Sequence, residues 1–150
     1  NRDRMIRYVD AGVVSAGQAR LVGYPKLDRL VSGAIDGAAV RADLGLDPSR
    51  PTALYAPTYS TASSLHLAGE QIVNALAGAG LNVIVKLHDR SLDSDPRYTG
   101  GIDWRARMHA IEQPGRVRYV EGPDASPCLA AAASVCNLSL LSGACTTRLP

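Results

Sequence analysis

The chain has 150 residues, of which 46% are hydrophobic and 20% charged, a balance typical of one globular domain. Sixteen basic and fourteen acidic side chains leave a net charge of +2, which gives no electrostatic reason to expect binding to nucleic acid. No apolar run approaches the roughly 18–20 residues that span a bilayer, so we expect a cytoplasmic protein that contacts a membrane only through segments outside this sequence.

The cysteines and the chain ends bear on compartment and completeness. Cys128, Cys136 and Cys145 lack the paired spacing of a zinc site, which favours reduced thiols in a cytosolic protein. The sequence has no cluster of metal ligands and no cofactor-binding fingerprint, so we expect neither a metal nor a cofactor. The chain starts without an initiator methionine and ends directly after an apolar stretch, so we interpret residues 1–150 as one incomplete domain of a longer protein.

Short apolar strands alternate with helices along the chain. Residues 1–16 carry a short helical pattern and are interpreted as a connecting segment. Strands are predicted at residues 19–22, 52–56, 81–87, 117–120 and 134–138. Helices are predicted at residues 26–32, 36–46, 65–79, 103–112 and 129–133. This alternation implies a parallel sheet with right-handed crossovers, so the predicted fold is α/β, a Rossmann-like doubly wound sheet.

The stretch 81–90 carries the strongest functional signal. Its strand is predicted to be buried on both faces because five of the first seven residues are apolar, and it runs into His88, Asp89 and Arg90. Ligands bind at the carboxyl ends of strands in open α/β sheets, where helix N-termini open toward the same crevice. We predict that His88 donates to a phosphate oxygen and that Arg90 binds it bidentately. The alternative is a His88 that only hydrogen-bonds its own loop.

A second candidate is the hydroxyl-rich loop 57–64, which follows the predicted strand 52–56. Such a loop offers backbone N–H groups and hydroxyl donors to a phosphate, and its last serines are expected to cap the next helix. It contains neither G-x-G-x-x-G nor a P-loop lysine, so dinucleotide and P-loop ATPase functions are not favoured. A capping loop with no ligand is an equally good interpretation. His66 and His109 are predicted to be surface or capping residues.

Three motifs, in this order, resemble the CDP-glycerol glycerophosphotransferase family, which builds teichoic-acid-like polyol phosphate chains. The motifs are GYPKLD at 23–28, LYAPTY at 54–59 and IVKLH at 84–88, and the resemblance spans about residues 17–133. It implies a GT-B architecture, in which two Rossmann-like domains enclose the active site. This chain would be the C-terminal, nucleotide-binding half, and its expected partner is an N-terminal domain that carries a further catalytic histidine.

The resemblance also implies roles for individual residues. Thr58 and Ser60 fall in the family's P-T-[WFY]-R loop, and His88 falls in its K-x-H-P motif, near the donor diphosphate. We therefore interpret His88 as the candidate catalytic residue, with Thr58, Ser60, Thr61 and Arg90 as candidate donor-binding residues.

The sequence departs from the family pattern at several positions. Ser60 and Asp89 stand where the family often has arginine and proline. The family's D-x-S-S element, which grips the donor phosphates, is absent from residues 133–142. Asn137 and Ser139 are its nearest equivalents and complete the candidate substrate-binding set. Loss of a carboxylate and a hydroxyl at a phosphate site removes hydrogen bonds of roughly 1–3 kcal/mol each.

The resemblance implies transfer of a glycerol-phosphate-type group from a CDP-activated donor to a polyol phosphate or lipid-linked acceptor, in the cytoplasm at the inner face of the cell membrane. One alternative is another GT-B enzyme, such as a nucleotide-sugar transferase or a UDP-sugar 2-epimerase. A second alternative is a non-catalytic nucleotide-binding module or a degenerate fragment. Because a GT-B reaction needs both walls of its cleft, we expect these 150 residues to be inactive alone.

Overall fold

A computed structural model of the chain describes residues 2–20, 25–136 and 145–147, with the backbone alone at Lys26, 134–136 and 145–147. The helices in these ranges are α1 (Arg2–Asp10), α2 (Asp28–Val31), α3 (Gly37–Asp43), α4 (Ser64–Gly78), α5 (Pro96–Thr99), α6 (Trp104–Ala110) and α7 (Ser126–Ala131). The strands are β1 (Thr52–Tyr55), β2 (Asn82–Val85), β3 (Val117–Tyr119), β4 (Ser134–Cys136) and β5 (Cys145–Thr147), and two 3-10 helices cover Pro25–Leu27 and Asp89–Leu92. None of the described helices is both long enough and apolar enough to cross a membrane.

The predicted strands at 52–56, 81–87 and 117–120 are confirmed as β1, β2 and β3, each somewhat shorter than expected. The strand predicted at 134–138 begins at Ser134 as β4, and its last two residues lie outside the described ranges. The strand predicted at 19–22 is not formed at its first two residues, and the other two also lie outside those ranges.

The polar segment after β2 contains more regular structure than its turn-rich sequence indicates. The 3-10 helix Asp89–Leu92 follows directly on His88, and α5 follows at Pro96. Asp95 caps α5 by accepting the N–H of Arg97 at 2.9 Å, and proline suits the first helical position because its missing N–H needs no partner there. Local capping therefore gives regular structure to a segment for which the hydrophobic pattern predicts neither helix nor strand.

The five strands form one mixed sheet in the order β3-β2-β1-β4-β5. Strands β1 to β4 are parallel and β5 runs antiparallel to β4. Leu54 of β1 lies in register with Ile84 of β2 on one side and with Val135 of β4 on the other. Between β3 and β4 the chain therefore crosses from one side of β1 to the other. The carboxyl ends of the parallel strands meet at one edge, where this reversal opens a crevice.

Helices cover both faces of the sheet because successive residues of a strand point to opposite sides. Both central strands, β1 and β2, are buried along their whole length, and for β2 this confirms the prediction made from the apolar run at 81–87. One core cluster joins Tyr55, Val83, Val85, Val117 and Tyr119 of the strands to Leu65, Val73 and Ala77 of α4 and to Trp104 and Met108 of α6. The other joins Leu54 and Ile84 to Cys128 and Ala131 of α7, with Val40 of α3 packed against them.

Close packing of α3 against α7 positions the segment that leaves β3. Gly37, the first residue of α3, lies so near the backbone of α7 that a Cβ atom there would overlap the carbonyl of Ala130. Arg41 of α3 also donates to the carbonyl of Ala131 at 3.0 Å. These contacts hold α7 and, with it, the turn at residues 122–125 that precedes it.

Candidate functional site

A cleft of about 320 Å³ opens at the carboxyl ends of β1, β2 and β3. Its walls come from the segments that leave these strands, namely residues 56–58 after β1, residues 86–89 after β2, and residues 123 and 125 after β3. The polar and charged side chains that line it are those of Thr58, Lys86, His88 and Asp89. Two of the three motifs that carry the family resemblance therefore contribute to one concave surface.

His88 is an exposed residue that uses one ring nitrogen within its own loop. Its Nδ1 accepts the backbone N–H of Arg90 at 3.1 Å and so caps the 3-10 helix that follows. A neutral imidazole carries its proton on the nitrogen that is not an acceptor, so Nε2–H is the donor available to a ligand. The ring of Tyr59 lies 4.8 Å from the His88 ring, between centroids, and holds its orientation. The loop after β1 and the histidine after β2 are thus in direct contact.

Lys86 brings a nearly buried positive charge to the same cleft. Its side chain is 7% exposed, and its ammonium donates to the carbonyls of Gly122 and Leu87. No carboxylate in the described part of the chain lies within ion-pair distance of it. The Asp124 carboxylate interacts with it only at longer range. Because buried charges are normally paired, an ammonium bonded directly to carbonyl oxygens alone can still attract an anion at the cleft.

The other candidates in the first loop differ in their placement. Thr58 lines the cleft beside His88. Ser60 is exposed, and its hydroxyl accepts the N–H of Ala62 at 3.1 Å within the loop itself. Thr61 is also exposed, with its methyl group beside Gly100 at the end of α5. Of these three residues, the structure brings only Thr58 to the cleft.

Arg90 lies beside the cleft and not in its wall. Its guanidinium carbon sits 5.2 Å from the ring centroid of Tyr59 and 4.9 Å from that of Tyr98. The two tyrosine rings meet edge to face at 5.7 Å, so the cation rests on a small aromatic cluster. The side chain is exposed, and no carboxylate of the described residues pairs with it, so its donors face solvent next to His88.

Asn137 and Ser139, the predicted equivalents of the D-x-S-S element, lie outside the described residues.

The serines at the end of the first loop have other roles than the predicted caps. Ser63 occupies the N-cap position of α4, but its hydroxyl makes no capping bond and is buried without a partner among the described residues. The hydroxyl of Ser64 is instead 3.0 Å from that of Tyr55, inside the core. This buried bond ties the start of α4 to the end of β1 and so positions the loop between them.

Sequence reasoning passed over Lys86 and the two tyrosines. Lys86 carries a usable signal, since it is a single charged residue at the carboxyl end of a mostly apolar strand. Tyr59 fills the aromatic position of the family's P-T-[WFY]-R loop, but neither it nor Tyr98 signals the contact with Arg90, which arises only through the fold.

Chemically, the cleft offers an ammonium, a ring N–H and a hydroxyl from three positions, beside the carboxylate of Asp89. The three donors suit an anion with several oxygen acceptors. Among the described residues, no group of three or more His, Cys, Asp or Glu side chains is placed to hold a metal ion. Scans of protein-family models, of curated proteins and of solved structures found no match to this chain.

Proposed function

We propose that this chain is the nucleotide-binding half of a transferase that moves a glycerol-phosphate-type group from a CDP-activated donor to a polyol phosphate or lipid-linked acceptor. The observation that carries the proposal is the convergence of Lys86, His88 and Thr58 on one cleft at the carboxyl ends of parallel strands. An ammonium, an imidazole N–H and a hydroxyl together neutralise and orient a diphosphate. The order of the three family-like motifs supplies the identity of the donor.

In this proposal the fold is a Rossmann-like doubly wound sheet and forms one half of a GT-B enzyme. The strand order β3-β2-β1-β4 with helices on both faces supports it, because nucleotides bind where such a strand order reverses. The cleft lies beside that reversal, after β1 and β2. An N-terminal domain would provide the opposite wall, and a lipid-linked acceptor would place the enzyme in the cytoplasm at the inner face of the membrane.

The proposed reaction is attack on phosphorus. A hydroxyl oxygen of the acceptor forms a new P–O bond to the glycerol phosphate group, while the bond from that phosphorus to the bridging oxygen breaks and CMP leaves with the electron pair. The acceptor proton passes to a base, for which the resemblance supplies the histidine of the N-terminal domain. Lys86 and the Nε2–H of His88 stabilise the charge that grows on the leaving phosphate, and Thr58 orients it.

Calorimetric titration of the chain with CDP tests this assignment through His88→Asn. Asparagine keeps an acceptor for the N–H of Arg90, so the 3-10 helix retains its cap while the Nε2–H donor is lost. A hydrogen bond between a donor and a charged acceptor contributes roughly 1.5–3 kcal/mol, so the Kd for CDP should rise about 10- to 150-fold.

The matched control is His109→Gln, which removes an exposed histidine of α6 that lies outside the cleft. It should leave CDP affinity unchanged. Wild-type protein that produces no heat with CDP, or a His88→Asn variant with wild-type affinity, would contradict the proposed function.

A further inference from the structure

A second, larger cleft adjoins the first. It encloses about 460 Å³ and shares Pro123 and Ala125 with the proposed diphosphate cleft. Its walls are mostly apolar and come from the 3-10 helix before α2, with Pro25 and Leu27, and from α7, with Leu129. This volume falls within the roughly 300–1,000 Å³ range of small-molecule sites, and a flat heterocycle buries well against such walls.

One ion pair stands at this apolar cleft. Arg29 of α2 approaches Asp124 with 3.5 Å between its Nη1 and the Oδ2 of the carboxylate, and both side chains line the cleft. The pair is open to solvent, with 70% and 48% of the two side chains exposed. A separation this long leaves both groups able to bind a third partner. The apolar cleft therefore has the N–H donors of the Arg29 guanidinium next to the acceptor oxygens of the Asp124 carboxylate.

The carboxylate is held in place by its other oxygen. Oδ1 of Asp124 accepts the N–H of Ser126 at 2.9 Å, at the start of α7. The hydrogen bonds from Ser126 are the main reason that the pKa of Asp124 is lowered, and the charges of Arg29 and Lys86 lower it further. Its two neighbours in the chain, Pro123 and Ala125, line both clefts. Asp124 is therefore a fixed, ionised acceptor between the two clefts.

We propose that the second cleft binds the base of the nucleotide and that Arg29 and Asp124 select cytosine over uracil. This inference rests on the proposed function, since it assumes that the first cleft holds the diphosphate. Cytosine presents two adjacent acceptors, N3 and O2, beside the donor N4–H₂. The guanidinium fork of Arg29 matches the two acceptors and the Asp124 carboxylate accepts from N4.

Uracil cannot satisfy the same pair. Its edge alternates acceptor, donor and acceptor, so no two adjacent acceptors meet the arginine fork, and its O4 would face the carboxylate. A mismatched base of this kind loses a factor of roughly 10 or more in affinity. The specificity thus comes from the order of donors and acceptors on the protein, and the apolar walls bind either pyrimidine equally well.

Calorimetric titrations of the full chain with CDP, UDP and inorganic pyrophosphate test this inference. We expect wild-type protein to bind CDP about tenfold tighter than UDP. In Asp124→Asn this ratio should fall close to one, because the asparagine amide can donate to O4 of uracil. Asparagine also keeps the acceptor for Ser126, so α7 retains its start. Arg29→Gln, an exposed substitution, should lower the ratio by weakening CDP alone.

Asp36→Asn is the matched control, since Asp36 is an exposed aspartate that caps α3 in the same way, with 2.8 Å to the N–H of Ala38. It should leave the CDP-to-UDP ratio at the wild-type value. Pyrophosphate binding with equal CDP and UDP affinities, or a preference that survives in both variants, overturns the base assignment and leaves the diphosphate site standing. Absence of binding by all three probes overturns the diphosphate site and the base assignment together.

Discussion

Lys86→Met is expected to weaken diphosphate binding strongly while leaving the free energy of unfolding close to that of the wild type. The side chain is 7% exposed, and its ammonium is held by the carbonyls of Gly122 and Leu87. Methionine has a similar length and keeps the apolar stem buried, so no large cavity forms. The substitution therefore removes the charge with little change in packing.

Two opposing effects set the change in stability. The ammonium's hydrogen bonds are lost, and a bond to a charged group contributes roughly 1.5–3 kcal/mol. Against this, removal of a buried charge relieves a desolvation penalty of up to several kcal/mol. Gly122 is exposed, so water replaces the ammonium at its carbonyl, and the bond to Leu87 is long at 3.4 Å. We expect the free energy of unfolding to change by no more than about 1 kcal/mol.

The loss of binding free energy is compensated only in part. Two unit charges about 4 Å apart attract by roughly 4 kcal/mol at an effective dielectric constant of about 20. Desolvation of the ligand's phosphate offsets part of this attraction. A net loss of about 2–3 kcal/mol corresponds to a Kd that rises roughly 30- to 150-fold.

Calorimetry with pyrophosphate and with CDP gives the affinities, and urea unfolding followed by circular dichroism gives the stability. The control is Arg116→Met, which removes a cation just before β3, at the opposite edge of the sheet, and should shift both quantities little. Wild-type affinity in Lys86→Met would refute the view that this ammonium faces the anion. A loss of more than about 3 kcal/mol of stability would show that the charge serves the fold.

Two further predictions concern the scaffold. Gly37→Ala should lower the free energy of unfolding, measured with urea, by about 1–3 kcal/mol because the new methyl group overlaps the carbonyl of Ala130. Gly78→Ala, which has open space around it, should raise the free energy of unfolding by about 0.5 kcal/mol. Equal effects of the two substitutions would contradict the close packing of α3 against α7. His109 has a raised pKa, chiefly because its ring hydrogen-bonds to Glu112, so its stabilising contribution is complete below the ordinary value of 6.5 and is lost as the pH rises through the raised pKa. The difference in urea midpoint between wild type and His109→Gln should therefore be larger at pH 5.5 than at pH 8.5, and a constant difference would refute this.

The candidate site shows where sequence reasoning works and where it stops. The placement of His88 at the carboxyl end of β2 follows from a local pattern, because an apolar run that ends in polar residues predicts both the strand and its end. The roles of Ser60 and Arg90 did not follow in the same way. Ser60 bonds its own loop, and Arg90 rests on Tyr59 and Tyr98, because side-chain direction depends on neighbours from other segments.

The sequence by itself determined the central strands, the positions of most helices and the capping of α3 and α6 by aspartates, since these depend on residues only a few positions apart. Only the tertiary structure decided which loops meet. Lys86 reaches Gly122 across 36 residues, and Arg29 meets Asp124 because α2 packs against α7. Such contacts depend on strand order and on the packing of distant segments, and no local periodicity encodes either.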